Sequence, residues 1–148
     1  MNRDIEWLFS NEPVDEQRIV SIESQLNIVF PEDYIECAKN NHGGHPSLQI
    51  YDFGGHQEAV FNGLLSLASN DKNSVLSVYN NVKDRFVSGI YPFADDPFGN
   101  LICFDYRNSD SIPSVVFWDH DLCYENPEKA ILPICRTFTE LMLSLRDG

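Results

Sequence analysis

Positive charge is scarce in this sequence. Ten Lys and Arg residues stand against 23 Asp and Glu residues, and the formal net charge is −13 at pH 7. Because nucleic acids and anionic membranes are bound by clustered cations, we expect neither as a partner. The imbalance is compatible with a basic protein partner, whose approach a negative field accelerates. It is equally compatible with an acidic surface that only keeps the protein in solution.

The sequence also lacks a long hydrophobic run, since a transmembrane helix needs roughly 18 consecutive apolar residues. Near the N-terminus, Asp4 and Glu6 stand where a secretory signal would carry basic and then apolar residues. We therefore expect a cytoplasmic protein. No repeat, linker or low-complexity tract interrupts the 148 residues, of which 43% are hydrophobic. This length and composition predict one domain over residues 1–148.

Motifs for metal binding, cofactor binding and catalysis are missing as well. The cysteines have no Cys-x-x-Cys spacing and lie in apolar contexts, which predicts reduced, buried thiols rather than a disulfide or metal framework. No nucleophile elbow and no phosphate-binding glycine loop occurs. We expect no cofactor, no metal and no catalytic residues. The cysteines concerned are Cys37, Cys103, Cys123 and Cys135.

Histidine-bearing segments leave a small hydrolase or metalloprotein as an alternative. His42 and His45, with His56 downstream, have suitable ligand chemistry, but the first two lie in a helix-ending loop. There we expect solvent-exposed histidines that bind no metal. The Asp-His-Asp run at 119–121 closes a predicted strand, and adjacency in sequence does not orient a histidine toward a carboxylate. We interpret both segments as polar turn chemistry.

Hydrophobic periodicity predicts helices at both ends of the chain and one in the middle. Helices are expected at residues 3–9, from Asp15 to Asn27, from Pro31 to the breaker residues 40–44, after Ser74, and from Thr137 onward. Asp15, Ser74 and Thr137 are suitable N-caps, and proline favours the first helical turn. Thr137 and Glu140 form a capping box, which makes the last helix the most strongly indicated element.

Alternating patterns predict strands between these helices. They are expected at residues 48–53, within 58–67, and at 90–94, 101–106 and 114–119. Helices thus come first, a meandering antiparallel sheet follows, and a helix closes over it. This order indicates an α+β fold rather than alternating βαβ units.

The most informative segment is the acidic reversal at residues 95–100. Pro97 fixes φ and Gly99 permits positive φ, so the chain can turn between two strands there. Asp95 and Asp96 are held side by side at this reversal, and Asp105 ends the next strand. The segment is either a polar hairpin tip or a site that meets something basic.

Acids and aromatic residues lie close together in this half of the chain. Residues 86–128 contain eight acids and one base, Arg107. Exposed aromatic residues beside carboxylates would form an anchored, electrostatically steered protein interface, whereas buried ones would belong to the core. The residues predicted to bind a partner are Asp95, Asp96, Phe98, Asp105, Asp119 and Asp121.

The order of the short motifs resembles the SUKH superfamily. Residues 22–26 (Ile-Glu-Ser-Gln-Leu), 30–34 (Phe-Pro-Glu-Asp-Tyr) and 40–44 (Asn-Asn-His-Gly-Gly) match its opening Ile-Glu-x-x-Leu, Leu-Pro-x-x-Tyr and Asn-Gly-Gly elements. Residues 92–96, 99–100, 103–105, 113–120 and the closing helix match the remainder, so the resemblance spans about residues 12–146. Phe30 in place of Leu, and His42 inside the Asn-Gly-Gly run, depart from the pattern.

The resemblance implies an α+β domain with N-terminal helices and a C-terminal helix packed on an antiparallel-rich sheet. Many bacterial members look like immunity proteins that bind and block a toxin, often a nuclease, while a fungal branch acts in cell-wall assembly signalling. It therefore implies a non-enzymatic immunity protein with a toxin as partner. The acidity of the chain predicts that this toxin is basic, and we expect a monomer or weak homodimer. A regulatory interaction module is the alternative. The positions it marks as structural are Pro31, Tyr34, Gly43, Gly44, Gly99, Asn100 and Trp118.

Overall fold

The computed structural model describes residues 5–68, 71–109 and 111–147. The helices of these residues are α1 (Glu16–Leu26), α2 (Glu32–Asn41), α3 (Val75–Val82) and α4 (Phe138–Ser144). The strands are β1 (Trp7–Leu8), β2 (His45–Pro46), β3 (Ile50–Phe53), β4 (His56–Val60), β5 (Gly63–Leu64), β6 (Ile90–Asp95), β7 (Leu101–Asp105), β8 (Ser114–Trp118) and β9 (Ile131–Cys135). Short 3-10 helices at Lys83–Arg85 and Leu122–Tyr124 follow α3 and β8.

The strands β5 to β9 form a five-stranded sheet in sequence order, and every neighbouring pair is antiparallel. Two separate two-stranded sheets, β1–β2 and β3–β4, are also antiparallel. The region 58–67, expected to contain one strand, includes the end of β4 and all of β5, which belong to different sheets. With helices before, within and after the sheet, the α+β prediction is confirmed.

Both faces of the central sheet are buried. Along β7, Ile102 and Phe104 join the larger core, which also contains residues of α1, α2 and α4. Leu101 and Cys103 join a smaller core, which contains Val82 of α3. Successive side chains on a strand point to opposite faces, so a strand buried on both faces reads as a continuous apolar run. The smaller core is the one that positions the candidate site described below.

Side-chain caps begin three of the helices as predicted. Asp15 accepts a hydrogen bond from the Arg18 backbone N–H at 2.9 Å. Ser74 and Thr137 accept from the N–H groups three residues later, at 3.2 and 3.0 Å. At the other end of α1, Asn27 adopts the left-handed conformation with φ of 58°. These local interactions explain why the sequence pattern located the helices well.

The predicted helix at residues 3–9 is wrong for the residues that the structure describes. Trp7 and Leu8 form β1 and pair with β2, and Phe9 then takes a positive φ of 62°. Residues 3 and 4 lie outside the described residues. Pairing with a strand 37 to 39 residues further along the chain overrides the local helical pattern.

The prediction that His42 is solvent-exposed is also wrong, because its side chain is fully buried. Its Nδ1 accepts a hydrogen bond from the Leu67 N–H at 3.0 Å, and its Nε2 lies 2.7 Å from the backbone oxygen of Glu12. An N–H donor at Nδ1 and a carbonyl at Nε2 define the neutral tautomer with its proton on Nε2. His42 therefore links three segments of the chain.

All four cysteines are free thiols, as predicted, and all but the half-buried Cys135 are buried. Burial raises the pKa of Cys37 to about 11, which keeps this thiol protonated at neutral pH. Among the described helices, none combines the length and the apolar character of a membrane span.

Candidate functional site

The carboxylate of Asp96 organises the turn between β6 and β7. Its Oδ1 accepts hydrogen bonds from the backbone N–H groups of Phe98 and Asn100 at 2.9 and 2.8 Å, and its Oδ2 accepts from Asn100 Nδ2 at 2.9 Å. Asp96 is only 8% exposed. Gly99 supplies the required positive φ of 91°. Asp96 thus holds the turn in one conformation and offers little carboxylate surface to a partner.

Asn100 connects this turn to the segment after β8. Its Oδ1 accepts a hydrogen bond from the His120 backbone N–H at 3.1 Å and lies 2.6 Å from His120 Nδ1. Because Asp96 fixes the orientation of the Asn100 amide, its oxygen must face His120, and Nδ1 must carry the proton. The imidazole therefore presents Nε2 on its other side, 3.4 Å from Asp121 Oδ1.

Asp119 and Asp121 have different roles although they flank the same histidine. Asp119 Oδ1 accepts from the backbone N–H groups of Asp121 and Leu122 at 2.9 and 3.1 Å, so it stabilises the 3-10 turn. The Asp121 side chain is 85% exposed. One potential ligand atom from each of residues 119–121 lies within 4.8 Å of the others, so the fold brings the His120 ring close to both carboxylates, which adjacency in sequence alone does not ensure. No second observation indicates a metal at this exposed group.

A groove of about 300 Å³ lies beside the turn, on the side of the smaller core. Val78, Val82, Leu101 and Trp118 supply its apolar walls. Asn81, Arg85, Gly99 and His120 complete its lining. We call this surface the Arg85 groove. Its lining includes a guanidinium and an imidazole but no carboxylate, in contrast to the acidity of the whole chain.

Arg85 is fixed between two aromatic rings. Its guanidinium carbon lies 5.3 Å from the centroid of the Trp118 ring and 5.6 Å from that of Tyr124. Its Nη1 donates a hydrogen bond to Tyr124 Oη at 3.0 Å. Phe86 packs edge-on against Trp118 with the centroids 4.9 Å apart. The two cation–π contacts and the hydrogen bond to Tyr124 restrict the rotamers of Arg85 and so pre-organise its guanidinium.

Two strongly exposed aromatic residues are direct neighbours of residues that line the groove. Phe98 is 67% exposed and precedes Gly99, which lines the groove. Tyr124 is 73% exposed and accepts a hydrogen bond from Arg85, which also lines the groove. Exposed aromatic residues on a rigid backbone are typical of the anchors that dominate protein interfaces.

Two of the predicted partner-binding acids do not belong to this surface. Asp95 accepts from Asn62 Nδ2 at 3.0 Å, and burial raises its pKa, although that hydrogen bond and nearby His45 oppose the shift. Asp105 lies at the opposite end of β7 from Leu101 and forms two hydrogen bonds with the Arg107 side chain, at 3.0 and 2.8 Å. Their surroundings indicate structural roles.

A comparison with family models finds the SMI1 / KNR4 family (SUKH-1) over residues 13–144. The chain belongs to this family. It is also similar to the SPbeta prophage-derived uncharacterized protein YokK of Bacillus subtilis (strain 168), with 36% identity over 93 residues. That match covers 63% of this chain and 45% of YokK, so it spans less than half of that relative.

The signature positions of this SUKH-1 chain lie in structural settings. Pro31 is the N-cap of α2, one position before the helix begins. Tyr34 is buried among aromatic rings, including Phe93 and Phe104 at centroid distances of 5.7 and 5.2 Å. A Cβ at Gly43 would lie 2.5 Å from Asn11 Nδ2, and one at Gly44 would collide with Ser10 Oγ.

Within the SUKH-1 chain, only some of the residues predicted to bind a partner lie exposed at this candidate surface. Phe98 and Asp121 are exposed as a binding residue should be, while Asp96 is committed to its turn. Arg85 was missed altogether. A lone arginine carries no sequence signal, because its partner Trp118 is 33 residues away and meets it only in the folded chain.

Proposed function

We propose that this chain is a non-catalytic immunity protein that binds and neutralises a cognate bacterial toxin domain, of basic charge, in the cytoplasm. The observation that carries the proposal is the pair of exposed aromatic residues next to the Arg85 groove: Phe98, whose backbone is fixed in the turn, and Tyr124, whose hydroxyl is hydrogen-bonded to Arg85. Family membership is consistent with it, and the prophage origin stated in the name of the relative YokK fits a role in conflict between cells.

Rigidity is what makes Phe98 a candidate anchor. The Asp96 carboxylate accepts its backbone N–H, and Gly99 and Asn100 fix the remainder of the turn. A ring that is already in its bound position loses little conformational entropy when a partner covers it. Burying such a ring removes a large apolar area from water, which is the main source of affinity at an interface core.

The charge of the chain supports a basic partner. A net charge of −13 creates a long-range field that accelerates encounter with a cationic surface and repels other acidic proteins. Asp121, next to the groove and almost fully exposed, is well placed to contribute to this field. The proposal therefore combines two aromatic anchors with electrostatic steering.

The test is a growth assay. A bacterium expresses the C-terminal toxin domain encoded by a neighbouring gene, with and without this protein. Rescue of growth by this protein, and not by an unrelated SUKH-1 domain, is the expected result. Toxicity without rescue would instead favour the regulatory interaction module.

The surface is tested in the same assay with matched variants. Phe98→Ala and Tyr124→Ala together should abolish rescue. Ile112→Ala removes an equally exposed apolar side chain, at 71% exposure, from a different part of the surface and should preserve rescue. Thermal unfolding of the purified variants establishes that each one is folded. Full rescue by the folded double variant would show that this surface is not the interface.

A further inference from the structure

The Arg85 groove has the opposite electrostatic character to the remainder of the chain. Arg85 and His120 line it, and no Asp or Glu does. Among the described residues, no carboxylate forms an ion pair with Arg85, although acids outnumber bases more than twofold in the sequence. Asp121, which follows the lining residue His120, has its Oδ1 3.4 Å from Nε2 of that histidine. An arginine left without a carboxylate in so acidic a protein is available to an external anion.

Trp118, which also lines the groove, carries a second donor without a partner among the described residues. Trp118 is 1% exposed, and its Nε1–H has no hydrogen-bond partner within the described part of the chain. A buried donor without an acceptor is costly, and such groups are rare in native proteins. The Arg85 guanidinium has five N–H donors, of which one bonds Tyr124 Oη. The groove therefore presents Arg85 donors that no acceptor in the described residues fills, next to a tryptophan whose indole N–H is also unpaired.

The size and walls of the groove limit what that acceptor can be. A volume of about 300 Å³ is large enough for one Asp or Glu side chain. Val78, Val82 and Leu101 provide apolar surface for a short aliphatic stem. A carboxylate complements the guanidinium because its two oxygens match the planar donor fork.

We propose that the Arg85 groove binds one carboxylate presented by the partner protein, either an Asp or Glu side chain or the terminal carboxylate. This inference rests on the proposed function for the identity of the partner, but the site itself can be tested alone. On a basic partner, one acid placed opposite Arg85 would fix the register of the complex. Partners without an acid there would leave the donors unpaired, which is a source of specificity.

The experiment is a titration followed by two-dimensional NMR of the two tryptophan indole N–H groups. The probes are N-acetyl-glutamate amide, with a side-chain carboxylate, and N-acetyl-alanine, with a terminal carboxylate, against sodium chloride at equal ionic strength. We expect a saturable shift of the Trp118 indole resonance with either carboxylate. The probe that binds more tightly shows whether the groove prefers a side-chain or a terminal carboxylate. The Trp7 resonance should not move. Chloride producing the same shift, or no saturable shift at all, would overturn the proposal.

Variants of Arg85 test the carboxylate site in a second experiment. Arg85→Gln should weaken carboxylate binding at least about tenfold. A hydrogen bond between charged groups contributes more free energy than a tenfold change in affinity requires. Arg85→Lys should retain part of the affinity. Arg136→Gln, at a residue 90% exposed, is the matched control and should not change it. Equal affinity of parent and Arg85→Gln, with both folded, would contradict the assignment.

The two proposals fail in different ways. Rescue of growth without a saturable shift in the titration would support the toxin-neutralising function and contradict the carboxylate site. Saturable carboxylate binding combined with toxicity that is not rescued would retain the site and remove the proposed partner.

Discussion

The side-chain oxygen of Asn100 lies 2.6 Å from Nδ1 of His120, and this contact joins the acidic turn to the segment that follows β8. The same amide donates to the Asp96 carboxylate at 2.9 Å. A single side chain therefore sets the positions of Gly99 and His120, both of which line the Arg85 groove. Stability and presentation of the candidate site are coupled through Asn100.

Replacing Asn100 should consequently destabilise the fold. Asn100→Ala removes the hydrogen bonds to the buried Asp96 carboxylate and to the half-buried His120, which should lower the free energy of unfolding by about 2 kcal/mol. Denaturant titration followed by tryptophan fluorescence measures this. Asn108→Ala, at an exposed position, is the control and should change stability by less than about 0.5 kcal/mol. Equal stability of the two variants would refute this role of Asn100.

His42 should be as important for stability as a core apolar residue. His42→Ala leaves the Leu67 N–H and the Glu12 oxygen without their partner and opens a cavity, which should cost about 3 kcal/mol. His56→Ala should cost less than about 1 kcal/mol, because this exposed ring only stacks on Phe53. Thermal or chemical unfolding of both variants makes the comparison. A larger loss for His56→Ala would contradict it.

Interactions between residues close together in the chain are predictable from sequence, whereas those between distant residues are not. Asp15, Thr137 and the turn at 95–100 were predicted well because their hydrogen bonds reach only a few residues along the chain. The burial of His42 could not be predicted, since it depends on contacts with Glu12 and Leu67, 30 and 25 residues away.

The adjacent acids show the same limit. Sequence treats Asp95 and Asp96 alike, but only the folded chain decides which one closes the turn and which one meets Asn62, 33 residues earlier. The Arg85 groove could not be predicted for this reason either. Its lining comes from α3, the turn and the end of β8, which no local pattern brings together.

Two buried tyrosines should respond in opposite directions when the hydroxyl is removed. Tyr34 Oη has no hydrogen-bond partner among the described residues, whereas Tyr106 Oη donates to the Val29 oxygen at 2.7 Å. Tyr34→Phe should therefore raise the free energy of unfolding by about 1 kcal/mol, and Tyr106→Phe should lower it by a similar amount. Denaturation midpoints measure both. Destabilisation by Tyr34→Phe would indicate that its hydroxyl is satisfied.

The pairing of Asp105 with Arg107 should make stability depend on pH. Burial acts to raise the pKa of Asp105, but the hydrogen bonds and charge of Arg107 outweigh it and hold the pKa below its ordinary value. Because the pKa of the unfolded chain is higher, about 4, the ionised carboxylate stabilises the fold above that pH. This contribution is lost as the pH falls through the lower, folded-state pKa.

Asp105→Asn tests this dependence. At neutral pH it should lower the free energy of unfolding by about 2 kcal/mol, and the difference from the parent should shrink as the pH falls below about 4. Unfolding curves at a series of pH values give the difference directly. Asp84→Asn, at an exposed position, should show little difference at any pH. A stability difference between the parent and Asp105→Asn that grows as the pH falls would contradict this prediction.

Substitutions of Asp121 and Asp96 should distinguish electrostatic steering of the partner from stabilisation of the fold. With the toxin domain identified by growth rescue, Asp121→Asn should slow association about two- to fivefold at low salt and have little effect at high salt, because its exposed charge acts through a screened field. Asp96→Asn should instead lower stability, since its carboxylate accepts three hydrogen bonds in the turn. Glu36→Gln, on an exposed position of α2, controls for the loss of one negative charge. Stopped-flow association at several salt concentrations measures the rates, and rates independent of salt would exclude electrostatic steering.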